Sequence, residues 1–136
     1  MPNTITLKDE GRAFRKEGEA SAAITPGHLI EFGGGEELRV HSTVGGAARR
    51  AFALENDLIG KGPLDAYAAN DIVQYGVFPP GAEVWAITSE AVNKGDFLES
   101  AGDGRLQVSS TPVAISQVAV ALGTIGAAGR VAVEVL

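Results

Sequence analysis

The chain has 136 residues, enough for one domain with a real core, and 45% of them are apolar. Seventeen acidic against 11 basic residues give a formal charge of −6, which favours solubility and argues against nucleic acid as a partner. The absence of cysteine excludes a disulfide framework and a thiolate metal site, so packing or association must supply the stability.

Residues 1–22 read differently from the rest. A short strand is expected over residues 4–7, and eight charges then follow between Lys8 and Glu19 without a clear period. Two readings stay open: a frayed terminus, or an arm whose few apolar side chains dock on a neighbour. The segment has no apolar signal-peptide region, and no window approaches the roughly 18 apolar residues needed to cross a membrane. A soluble protein made in the cytoplasm, with no membrane partner, is the expectation.

From Pro26 onwards one strand signal follows another. Pro26-Gly27 opens Leu29-Ile30-Glu31-Phe32, and three glycines close it. Leu38, Val40, Ser42 and Val44 alternate with Arg39, His41 and Thr43, the period of a half-buried strand. Residues 50–54 give another, with Phe52 and Leu54 on one side and Ala51 and Ala53 on the other. Gly60, Gly62 and Pro63 limit residues 55–70 to a single helical turn. Strands resume at residues 72–77 and 83–87, separated by the corner Pro79-Pro80-Gly81. Asp103-Gly104 predicts a hairpin between Phe97-Leu98 and residues 106–108. Asn70-Asp71-Ile72-Val73 and Gly95-Asp96-Phe97-Leu98 share one turn device, in which an Asp side chain bonds backbone two residues on and so sets the start of a strand.

In residues 112–136 only Arg130 and Glu134 are charged. Val118, Val120 and Leu122 alternate with Ala119 and Ala121, and Val131 and Val133 flank Ala132. Strands with alanine on the second face suit the middle of a sandwich or barrel, or contact with a symmetry mate. The expected fold is all-β: a small β-barrel or sandwich of about nine or ten short strands, residues 23–136, preceded by an extended amino-terminal arm, residues 1–22.

Chemistry is sparsely provided for. His28 and His41 lack metal-ligand spacing and read as surface or edge-strand residues. Glu55, Asp57, Asp65 and Asp71 lie in a loop, without the spacing of a calcium-binding helix–loop–helix. Gly33-Gly34-Gly35 and Gly60-Lys61-Gly62-Pro63 have no helix behind them to cradle a phosphate. No serine elbow is present. No catalytic residue, metal or cofactor is expected, and the chain is expected not to be an enzyme.

Residues 53–76, the strand at 83–87, Asn93-Lys94-Gly95-Asp96-Phe97-Leu98, Gly102-Asp103-Gly104-Arg105-Leu106 and the ending over 114–122 and 129–134 together resemble tailed-phage head decoration, or capsid cement, proteins. The resemblance covers residues 25–136. It implies a β-tulip-like domain forming a homotrimer on the outer capsid surface of a virion. The partners implied are the major capsid protein and neighbouring decoration trimers. It further implies an arm that staples capsomers, with Ile5, Leu7, Arg12, Phe14 and Arg15 as contacts. Val118, Val120, Leu122, Val131 and Val133 are the expected trimer interface, since nearly uncharged strands gain from burial against symmetry mates. The rival readings are a tail, baseplate or fibre-attachment module, and a small-ligand-binding β-barrel.

Overall fold

The computed structural model describes residues 2–110 and 115–136. Pro112 and Ala114, where the expected tail and the last resembling segment begin, lie outside the described residues. The described residues form eleven strands: β1 (Thr6–Lys8), β2 (Phe14–Glu19), β3 (Ile30–Phe32), β4 (Leu38–Val40), β5 (Ala51–Ala53), β6 (Ile72–Val77), β7 (Glu83–Thr88), β8 (Phe97–Ser100), β9 (Leu106–Val108), β10 (Gln117–Ala121) and β11 (Gly129–Val135). Among the described residues the one helical element is a 3₁₀ turn, Asp57–Ile59, inside the glycine-limited segment.

Strands β7, β11, β10, β8 and β9 close into a five-stranded barrel. Closure is made where Thr88 of β7 meets Leu106 of β9 in parallel, while every other barrel pairing is antiparallel. The other end of β7 carries β1 on its outer edge, Thr6 opposite Val84. Valines account for much of the interior. Val131, Val133 and Val135 of β11 point inward, as do Val84 and Ala86 of β7, because a period of two on a closed sheet sends alternate residues to the axis.

Beside the barrel lie a three-stranded sheet, β2-β6-β5, and a hairpin, β3-β4. Strand β5 joins the two halves. Phe52 belongs to the barrel's apolar cluster and meets Phe78 edge-on, with centroids 6.1 Å apart. Ala51 and Ala53 face a second cluster with Ile30, Leu38, Val73 and Tyr75. Both sides of β5 are therefore covered, as its two apolar faces predict. Small residues permit the close approach: a Cβ at Gly18 of β2 would sit 2.8 Å from a methyl carbon of Leu38.

The turn device is present, with its direction reversed. Asp71 and Asp96 each accept from the backbone N–H three residues earlier, at Ala68 and Asn93, both at 2.8 Å. Asn70 (φ +72°) and Gly95 (φ +95°) take the left-handed turn just before each Asp. Asp65 repeats the bond to Gly62 N–H at 2.8 Å.

Candidate interaction surfaces

The expected arm is woven into the domain, and the boundary at residue 22 separates no detached segment. Ile5 is fully buried in the barrel cluster, so it is not an exposed contact. Its N–H donates to the buried carboxylate of Glu55 at 2.9 Å, and its carbonyl accepts from Trp85 N–H at 2.8 Å. Leu7 is half-buried on β1, and Arg12 is exposed in the turn that follows. Phe14 and Arg15 lie on β2, which pairs along its whole length with β6. The sequence hides β2 because the strand buries almost nothing: FRKEGE has no apolar alternation to read.

Of the expected interface valines, Val118, Val131 and Val133 are enclosed in this chain's own core, which removes them from any surface. The barrel closes over them and does what a symmetry mate was expected to do. Val120 and Leu122 are half-buried on the outer wall, where Val120 lies between Phe97 and Glu134. A bulge near Gln117 separates Val118 from Val120 and Leu122. It shifts the register against β8, so Val118, Ala119 and Ala121 all become buried and strict alternation fails.

Exposed apolar side chains gather elsewhere. Nine large ones are exposed among the described residues, and six of them, Phe14, Phe32, Leu58, Ile59, Leu64 and Ile72, belong to β2, β3, β6 or the loop between β5 and β6. On the hairpin side of the sheet, the Arg49 guanidinium lies 4.2 Å from the ring centre of Phe32 and 5.4 Å from that of Tyr75. Lys16 pairs with Tyr75, and Phe14 pairs with Val77 on the same face. The sequence signal was faint: Phe32 and Arg49 are 17 positions apart and meet only through the hairpin. Across the molecule, Ile59, Ile72, Lys61, Asp65 and Asp71 line a shallow hollow of about 230 Å³.

That loop is firmly held. Tyr67 Oη donates to Leu54 O at 2.8 Å, Arg130 Nη2 donates to Pro63 O at 3.0 Å, and Asp57 forms an ion pair with Arg15. The Arg15 hydrogen bonds hold the Asp57 carboxyl below its ordinary range. Glu55, Asp57, Asp65 and Asp71 are thus each tied to separate backbone or side-chain partners. Among the described residues no three acidic or histidine side chains converge as metal ligands.

His41 departs from the expected surface or edge-strand position, and His28 is half-buried. His41 is buried, its Nδ1 2.7 Å from Ser100 Oγ and its Nε2 3.0 Å from Ala47 O. His28 is half-buried and accepts from Thr25 N–H at Nδ1. Burial drives its pKa down to about 4; Asp103 opposes this, while Arg130 and Arg105 add to it. Arg130 stacks on Trp85 at 4.9 Å, and burial lowers its pKa as well.

No family model matches the chain, and no curated protein matches it. Among solved structures, the chain is similar to the head fiber gp8.5 N base in bacteriophage phi29, with a TM-score of 0.66. That likeness covers 91% of this chain and 94% of the other at 12% sequence identity. It establishes a shared fold across nearly the whole of both chains.

Proposed function

We propose that this chain is a structural, non-enzymatic protein of a phage head, carried on the outer capsid surface as a homotrimer that reinforces the shell. The observation that carries the reading is the fold shared over nine-tenths of the chain with a head fibre base. The decoration-protein resemblance of residues 25–136, read from turn and strand patterns, points the same way. A net charge of −6 suits a partner made of protein and a position away from packaged DNA. Three copies acting together would bind the shell with avidity, which multiplies affinity by about 10²–10⁴ without any tight single contact. Here the major capsid protein is the partner, and neighbouring trimers lie beside it.

One observation favours a second reading within the same class. The similar structure is the base of a head fibre, so this domain would equally serve as the foot on which a fibre stands. Co-sedimentation of the purified chain with expanded, DNA-free heads of its phage tests both readings. Saturable binding with a stoichiometry of three copies per site supports the cement role. Binding only at sparse sites supports the fibre foot, and no binding to heads defeats both.

A further inference from the structure

We infer that the open edge of β2 accepts an extended, arginine-bearing segment of a different protein, which joins the sheet as a further strand. The segment lies in the groove between β2 and the β3-β4 hairpin. Backbone direction and charge on this chain alone point there, whatever assembly the protein serves.

In the sheet order β2-β6-β5, no strand covers the other edge of β2 among the described residues. An antiparallel ladder turns the N–H and C=O of alternate residues towards the partner strand, and those of the residues between them away from it. Ala20 N–H donates to Asp71 O on the β6 side, whereas Ser21 N–H donates to Leu38 O on the opposite side, both at 2.9 Å. Counting back in twos from Ser21 along the ladder, Glu17 and Arg15 also aim their N–H and C=O outwards, and both residues are exposed. One end of this edge already takes a strand, since Ala20 bridges Leu38 of β4 in parallel. Next to that bridge a groove of about 550 Å³ opens, lined by Glu17, Gly18, Glu19, Phe32, Glu36 and Glu37.

Charge selects the occupant. Four carboxylates line the groove and no cation does. Glu17 accepts from the neutral Gln74 amide at 3.2 Å, so that bond leaves its charge standing. Among neighbouring cations, Arg15 is spent on Asp57 and Arg39 on Glu31. Lys16 on β2 and Arg49 against Phe32 remain, too few to cancel four negative charges. Phe32, 54% exposed, adds an aromatic wall of the kind on which arginine stacks. A second copy is a poor occupant: the chain carries −6, and its own β2 would bring Glu17 and Glu19 against the same carboxylates. The charges that deter indiscriminate edge pairing therefore admit a cationic strand. In strand addition the main-chain bonds give affinity and the side chains give selectivity.

The probe is a fluorescent peptide of alternating arginine and threonine, titrated against the full chain by anisotropy. It should bind saturably at one site, and amide exchange should slow at residues 15–19. Glu36→Gln with Glu37→Gln, both exposed at the hairpin tip, should weaken binding about tenfold. Glu10→Gln with Glu90→Gln removes the same charge from exposed positions elsewhere and should leave binding unchanged. The same peptide N-methylated throughout keeps its charge but has no N–H to donate, and it should bind about tenfold more weakly or worse. No binding, binding without new protection at residues 15–19, equal loss in both double variants, or an N-methylated peptide that binds as well would each overturn the inference. A thermal melt checks that each variant folds. If the hairpin-tip variant does not melt cooperatively, Glu17→Gln with Glu19→Gln replaces it under the same criteria.

Discussion

The closed barrel and the open sheet beside it are built from the same kinds of residue and treat their edges in opposite ways. Each barrel strand has neighbours on both sides, and its inward-facing valines are enclosed. Strand β2 has β6 on one side, and its six residues stay largely exposed. An open edge invites pairing with other chains, and charged side chains are a common defence. Arg15, Lys16, Glu17 and Glu19 supply that defence here. The half that looked like an interface in sequence is self-sufficient. The half that looked like a loose terminus and a loop carries the unspent apolar surface.

The largest test of that contrast is removal of residues 1–20. A detachable arm would leave a folded domain. The structure predicts loss of cooperative unfolding instead, because deletion strips Ile5 from the core, β1 from β7 and the whole of β2 from β6. Circular dichroism during a thermal ramp reads the outcome directly; a sharp melt near the wild-type temperature would restore the arm. Next in size is Phe52→Ala, at the joint between the halves. Loss of a fully buried aromatic costs about 3–5 kcal/mol, measured by denaturant unfolding. Val120→Ala on the outer wall should cost well under half of that, since Val120 is only half-buried.

Much of this fold was legible from residues alone, and the exceptions have physical causes. Strands β5, β6, β7, β9 and β11 were readable as short apolar-rich runs, alternating in β7 and β11, bounded by turn residues. The single turn of helix at Asp57–Ile59 followed from Gly60, Gly62 and Pro63. Strand β2 was invisible because its partner is backbone and its side chains are mostly in water. The predicted strand over residues 38–44 stops at Val40, where His41 turns inward to Ser100. The interface valines were misplaced for another reason. A period of two tells which side chains share a face, but not whether a barrel or a second subunit covers that face. The Arg49–Phe32 contact depends on how the β3-β4 hairpin folds back, which no local pattern encodes.

A smaller effect concerns His28, which lies where β3 and the β8–β9 loop approach. Its pKa is about 4 when folded, below the ordinary 6.5, so the unfolded chain binds more protons between those values. Stability should therefore be full above about pH 6.5 and fall as pH drops towards 4, by about 3 kcal/mol at most for this group. Urea midpoints measured across that window read the slope, and His28→Asn should flatten it. An unchanged slope in the variant would assign the loss to other groups.

The smallest expected effect is the most discriminating for the loop. Arg15 and Asp57 tie β2 to the 3₁₀ turn through an ion pair that is roughly half-exposed. Pairs of this kind contribute about 0.2–1 kcal/mol, and salt screens them. Asp57→Asn should therefore barely move the melting temperature in the isolated subunit. Because the folded Asp57 carboxyl is depressed, whatever the pair contributes is present above the ordinary carboxylate range and lost as pH falls through its folded value. Local opening is the sensitive readout, since Leu58 and Ile59 stand exposed on the same loop. A loop held mainly by Tyr67 and Arg130 keeps its amide protection in Asp57→Asn. A loop that needs Arg15 loses that protection while the melting temperature barely moves. Amide hydrogen exchange of the variant beside its melt separates these outcomes.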